Sequence, residues 1–172
     1  MGYAAVYNSL SADLGGFKER IRPNAFRNSI AGGTDIRALV DHDASKLLGR
    51  TSAGALRLSE DQVGLRIEID LPEGVSYAND IRSLIKRGDI KGMSFGFRVP
   101  TGGQSITKEA GQTIRELSEI NLKEVTVTSI PAYGDTSVYV RSAVIDPTVL
   151  QMIERPHFNH RVARFRRALI GA

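Results

Sequence analysis

The feature that most limits the fold of this chain is a set of short segments in which apolar and other side chains alternate. They occupy residues 3–7, 36–42, 55–58, 65–71, 93–99, 113–117, 122–128 and 137–140. A period of two suits a half-buried strand and does not suit a helix, so the chain is predicted to be β-rich. The polar stretch Ser59-Glu60-Asp61-Gln62-Val63-Gly64 ends in glycine and predicts a hairpin between the third and fourth segments. One helix interrupts the strands, because Tyr77, Ile81, Leu84 and Ile85 recur at helical spacing. Ser76 is its expected N-cap and Gly88 its left-handed C-terminal residue. Residues 100–112 hold glycines at 102, 103 and 111 and few large apolar side chains, so they read as a mobile loop, either a plain connector or a substrate flap.

The length of 172 residues and a hydrophobic share of 41% suit one ordinary core. With no repeat and no linker, residues 1–143 read as one domain and residues 144–172 as a C-terminal helix and basic tail. Asp146-Pro147 opens that helix and Pro156 stops it near Arg155. No apolar stretch approaches the roughly 18 residues that span a bilayer, so no membrane association is expected. The net charge of +4 is concentrated at one end. Arg155, Arg161, Arg164, Arg166 and Arg167 lie in a segment without acids, which leaves 18 basic against 19 acidic side chains in residues 1–154. A basic face on the body is therefore unsupported, and nucleic-acid binding as an independent function is disfavoured because no platform of interleaved aromatic and basic residues accompanies the tail. A solvated tail and a docking segment for an acidic partner are both compatible with it.

The absence of cysteine removes disulfides, zinc–thiolate sites, iron–sulfur clusters and thiol nucleophiles together. Any nucleophile must then be an oxygen or a lysine. The body has one imidazole, His42, since His157 and His160 lie in the tail. In a strand over residues 36–42, His42 shares a face with Ile36, Ala38 and Val40. In residues 92–97 alternation separates a core face, Phe95 and Phe97, from Ser94 and Gly96, with open space expected over the serine. A third stretch, residues 122–128, places Glu124 on the face of Leu122 and Thr126. A serine hydroxyl needs an imidazole base, and the imidazole needs a partner that fixes its tautomer. Ser94, His42 and Glu124 can fill these roles, although spacing alone leaves Glu116, Glu119, Asp80 and Asp89 as other carboxylates.

These stretches, in this order, resemble the prohead (capsid maturation) protease family of tailed bacteriophages, the HK97-type family. Gly2 to Asn8, Gly16-Phe17-Lys18-Glu19-Arg20-Ile21 and Ala25-Phe26 resemble its opening. Asp41-His42-Asp43 through Thr51, Arg87-Gly88-Asp89-Ile90 leading to Met93-Ser94-Phe95-Gly96-Phe97, Leu122 to Val125 and Pro131-Ala132-Tyr133 continue the similarity. The resemblance implies an α+β, β-rich fold, a closed or nearly closed β-barrel flanked by helices, as in the herpesvirus assembly protease. It implies a serine endopeptidase that acts inside the prohead in the host cytoplasm, cutting scaffold or major capsid protein and commonly itself. A homo-oligomer is implied, and no metal or organic cofactor is required. Residue by residue, Ser94 resembles the nucleophile and His42 the general base. Glu124 stands where the herpesvirus relatives have a second histidine, and residues 131–134 stand where they have the oxyanion loop. Proline has no amide hydrogen, so Ala132, Tyr133 or Gly134 is the expected donor. The family has a further strand ahead of the part matched by Gly2, so an exposed sheet edge or a shortened protein is expected here. The alternative to an enzyme is a capsid-assembly module that docks through the basic tail.

Overall fold

The computed structural model describes residues 1–140. In chain order the strands are β1 (Gly2–Val6), β2 (Lys18–Ile21), β3 (Arg37–Val40), β4 (Asp43–Arg50), β5 (Leu56–Glu60) and β6 (Gly64–Ile69). They continue as β7 (Gly92–Arg98), β8 (Gln104–Glu109), β9 (Gln112–Leu117), β10 (Asn121–Thr128) and β11 (Ser137–Val138), with helices α1 (Arg27–Ala31) and α2 (Ser76–Arg87) between them. The helix and basic tail expected over residues 144–172 lie outside the described residues.

The strands form three sheets, of order β11-β1-β6-β5, β4-β3-β10-β7 and β2-β9-β8. None of the three is closed on itself by backbone pairing among the described residues. The expected hairpin is present, β5 running antiparallel to β6 with Glu60 opposite Leu65. The first strand is not the exposed edge anticipated from the sequence, because β6 and β11 flank β1 on both sides. Beyond β11, the first sheet is stitched to the second, the Val138 amide donating to the Lys91 carbonyl at 2.9 Å, just ahead of β7. A second tie runs from the Met93 amide to Thr136 Oγ1 at 3.0 Å.

The core gathers around Phe95 on the inner face of β7. Phe26 meets its ring edge-on at 5.6 Å, Tyr133 stacks on it at 5.7 Å and Phe97 lies at 5.3 Å. Such aromatic pairs add geometric preference to a large buried area. Both helices pack against this body. Ser29 of α1 accepts the Leu122 amide at 2.6 Å, and Tyr77 of α2 donates to the Leu47 carbonyl at 2.8 Å. Helix α2 ends as the sequence predicts, with Gly88 at φ +86° and its amide turned back to Leu84 and Ile85. Its N-cap is Val75 and not Ser76, and no side chain caps it.

Four elements carry no legible signal in the sequence. The expected loop over residues 100–112 is in large part strand β8, paired with β9 through a two-residue turn at Ala110 (φ +49°) and Gly111 (φ +81°). Its one large apolar residue, Ile106, is 61% exposed, so pairing and not burial makes this edge strand. Strand β4 is similarly exposed. Strand β2 does alternate, but one of its two buried positions is Glu19. Helix α1 is a five-residue turn of helix, too short to show a period.

Replacing Phe95 with alanine removes the ring that three aromatic neighbours share. Urea unfolding is expected to show a loss of about 3–5 kcal/mol without a change in the fold of the remaining strands.

Candidate active site

The site is assembled on the second sheet by the registers of β10. Against β7 it runs antiparallel, with Thr126 opposite Ser94, Glu124 opposite Gly96 and Val125 opposite Phe95. Directly opposed residues share a face, so Ser94, Gly96, Glu124 and Thr126 stand together while Phe95 and Val125 face the core. The register shifts between Leu122 and Glu124, where Leu122 is opposite Phe97. This bulge corrects the strict alternation expected from the sequence, which puts Leu122 and Glu124 on one face. The extra residue, Lys123, sends Leu122 into the core and Glu124 to the other side.

On its other flank β10 pairs in parallel with β3, Val127 beside Val40. The expected strand over residues 36–42 stops there. Val40 is opposite Asp43, so Asp41 and His42 form a two-residue hairpin turn, both in the left-handed region at φ +47° and +59°. Two positive φ values in succession match the turn that a twisted hairpin prefers, but each costs a residue other than glycine some backbone strain. His42 is therefore presented by a turn and is not the end of an apolar row. Its backbone is anchored by donation from its amide to Thr126 Oγ1 at 2.9 Å. Its ring reaches Glu124 two residues earlier, with Nδ1 2.5 Å from Oε1. The imidazole is half exposed, 49%, while the carboxylate is sheltered at 13%. An accessible base backed by a protected carboxylate is what proton transfer to and from a bound molecule requires.

Gly96 makes this arrangement possible in space. A Cβ built on it would lie 2.5 Å from Glu124 Oε1. The space expected over this face is thus filled at Gly96 by the carboxylate. Ser94 is buried, and among the described residues its hydroxyl has no hydrogen bond to the His42 ring. The sheet brings the serine to the neighbouring strand, while Glu124 meets the ring and Thr126 the backbone of His42. The remaining carboxylates are committed elsewhere. Glu116 pairs with Arg20, Glu119 accepts from Asn28 and Asp89 pairs with Arg87, while Asp80 lies on the exposed side of α2. The anchoring of the His42 amide by Thr126 escaped the sequence reading, which placed Thr126 only on the face of Glu124. Its signal is the place of Thr126 two residues after Glu124 on the same strand.

Glu124 Oε2 is buried without a partner, and burial raises the carboxyl above the ordinary glutamate range despite the opposing effect of His42. In linkage terms the folded state holds this proton to higher pH than the unfolded chain.

Of residues 131–134, Pro131 adjoins the same face, while the Tyr133 ring packs on the core side against Phe95. The Pro131 ring covers Gly92, where an added Cβ would be 2.6 Å from it. The Ala132 carbonyl accepts from the Ala12 amide at 2.9 Å. The Tyr133 carbonyl accepts from the Thr136 amide at 3.3 Å and from Thr136 Oγ1 at 2.9 Å. A trans peptide points its N–H opposite to its C=O, so these bonds also fix the directions of the Tyr133 and Gly134 amides. Among the described residues, neither amide nor that of Ala132 donates a hydrogen bond. Beside them lies a shallow cavity of about 300 Å³, bordered by Gly92, Ser129, Pro131 and Gly134.

Comparison with known proteins identifies a family. A model described as caudovirus prohead serine protease matches residues 1–150. The chain belongs to that family. It is also 28% identical over 145 residues to the prohead protease of Enterobacteria phage HK97, an alignment that covers 83% of this chain. The chain spans 60% of that relative's own length.

Two outcomes test the site's construction. Gly96→Ala should fold, yet push the carboxylate from the imidazole, which the nitrogen chemical shifts of His42 would register. Stability of the wild type should fall relative to Glu124→Gln as pH rises from the ordinary carboxyl value through the raised value of Glu124, since the folded state must then ionise a buried acid. Thermal melts of both proteins over that interval measure the difference.

Proposed function

We propose that the chain is a serine endopeptidase of phage prohead maturation, with Ser94 as nucleophile, His42 as general base and Glu124 as the group that orients the imidazole. The observation that carries this reading is the 2.5 Å contact between His42 Nδ1 and Glu124 Oε1 on the strand register that sets Ser94 opposite Thr126. With Nδ1 engaged by the carboxylate, Nε2 is the nitrogen left to take a proton from a hydroxyl. Ser94 Oγ then attacks a peptide carbonyl, His42 accepts its proton and later passes it to the leaving amine, and water hydrolyses the acyl-enzyme. A free catalytic hydrogen bond that tightens only with substrate is common in such sites.

The oxyanion is assigned to the amides of residues 132–134. Tyr133 and Gly134 are favoured, because their directions are held by bonded carbonyls while the amides themselves remain unspent. The substrates are scaffold or major capsid protein inside the prohead, with self-cleavage and self-association as further expectations. The three sheets are compatible with the barrel of the herpesvirus assembly protease, which the family resemblance suggests. No step in this mechanism calls for a metal or organic cofactor.

The test is intact mass over time for the wild type and Ser94→Ala, each mixed with scaffold and capsid protein from the same viral genome. New masses that depend on Ser94 are expected, with turnover about 10⁶-fold lower in Ser94→Ala and at most roughly 10⁴-fold lower in Glu124→Gln. Equal cleavage by wild type and Ser94→Ala would sink the assignment. Intact substrates in both mixtures, while capsids assemble, would favour a docking module instead.

A further inference from the structure

We infer that Thr126 is a positioning residue for the reaction, its hydroxyl oxygen fixing where the imidazole of His42 stands relative to Ser94. The inference rests on the proposed protease reading and adds a residue that acts through His42. Thr126 lies between the buried Val125 and Val127 and is itself 0% exposed, so it reaches no substrate. A hydroxyl is costly to bury unless it is bonded. Here its Oγ1 accepts the His42 amide at 2.9 Å.

The turn that carries His42 has few other supports. Asp41 and His42 are both left-handed, a conformation that costs residues other than glycine some strain and persists only where the surroundings hold it. The β3–β4 ladder beside the turn is irregular, its register shifting twice between Ala38 and Val40. Residues 44–46, just past the turn, are exposed, so burial does not pin that side. The ring is half exposed as well. The firm attachments run to β10. The Asp41 amide donates to the Val127 carbonyl at 3.1 Å, and the His42 amide donates to Thr126 Oγ1. Of these two bonds only the second depends on a side chain, and it is the one made by the histidine.

His42 thus has two attachments to one face of β10, its backbone at Thr126 and its ring at Glu124. Two points set a direction, where the carboxylate alone would leave the ring free to pivot about one contact. Thr126 is also the register partner of Ser94 on β7. A single residue therefore references the base to the strand of the nucleophile. Threonine suits this role because its branched Cβ is stiff at χ1 and keeps Oγ1 in one direction. Without that acceptor the His42 amide loses its bond, the turn is free to relax from its left-handed geometry, and Nε2 moves away from the serine hydroxyl. A misplacement of about 1 Å costs on the order of 10²-fold in rate while leaving the groups that bind substrate untouched.

The experiment compares wild type, Thr126→Val and Thr126→Ser in the full chain, with capsid protein as substrate. Valine keeps the branched shape and removes the acceptor, whereas serine keeps the acceptor and removes the methyl group. Thr126→Val should lower kcat by about 10- to 100-fold with KM within about twofold of wild type, and Thr126→Ser should recover most of that loss. The Nδ1 proton resonance of His42 should shift or broaden in Thr126→Val and return in Thr126→Ser, a signature that a general loss of stability does not give. Wild-type kcat in Thr126→Val would overturn the inference. An equal loss in both variants would do the same, because the effect would then follow the methyl group and not the oxygen. Should Thr126→Val not fold, Thr126→Ala takes its place with the same expectations. Failure of both to fold would also overturn the inference, since the hydroxyl would then be holding the domain and not the ring. Cleavage that does not depend on Ser94 would overturn the protease reading itself, a result distinct from Ser94-dependent cleavage that Thr126→Val leaves intact.

Discussion

The pairing of β7 with β10, and the single bulged residue within it, is the constraint on which the rest of the site depends. Leu122 and Glu124 are two apart and would share a face of a regular strand. One belongs in the core beside Phe97 and the other must stay out of it. Lys123 resolves the conflict by adding a residue to β10 that β7 does not match. The Leu122 amide finds Ser29 Oγ as acceptor, and Glu124 comes to rest over Gly96, the one residue type that leaves it room. Aromatic packing around Phe95 then keeps the inner face of the pair rigid, so the outer face inherits that precision.

Buried carboxylates organise the molecule on both sides of that pair. Glu124 is sheltered from water and answered by His42, while Glu19 is more deeply buried and answered by Arg115. Burial raises the carboxyl of each, and the partner pulls it back in part. Such groups are poor sources of stability, since desolvation offsets most of what the pairing supplies. Each is instead geometrically informative: one meets the imidazole of His42, and the other meets the guanidinium of Arg115 on β9. The strained turn at Asp41 and His42 belongs to the same economy, because two left-handed residues are tolerated where they project the ring over β10.

How much of this was legible beforehand follows from what each element relies upon. Strands that bury one apolar face, such as β1, β6, β7 and β10, announce themselves by alternation, and α2 does so by its helical period and Gly88. Strand β8 exposes Ile106 and is held by backbone bonds to β9, which leave no trace in side-chain pattern. Strand β2 hides because one of its two inward positions is an acid, Glu19, which the fold pairs with Arg115. His42 was singled out by scarcity, as the one imidazole of the body, but its turn conformation came from pairing of β3 with β4.

The sequence by itself determined which chemical groups are available: a strand serine beside Phe95, one body histidine, no thiol, and ordered segments that mark the family. It also determined the β-rich class, because a period of two is a local property of the chain. Only the tertiary structure decided which carboxylate meets the imidazole, since Glu124 and His42 are 82 residues apart and come together through a parallel strand register, a bulge and a glycine gap. Contacts of that kind depend on how strands are placed side by side, and no periodicity along a single strand encodes its neighbour.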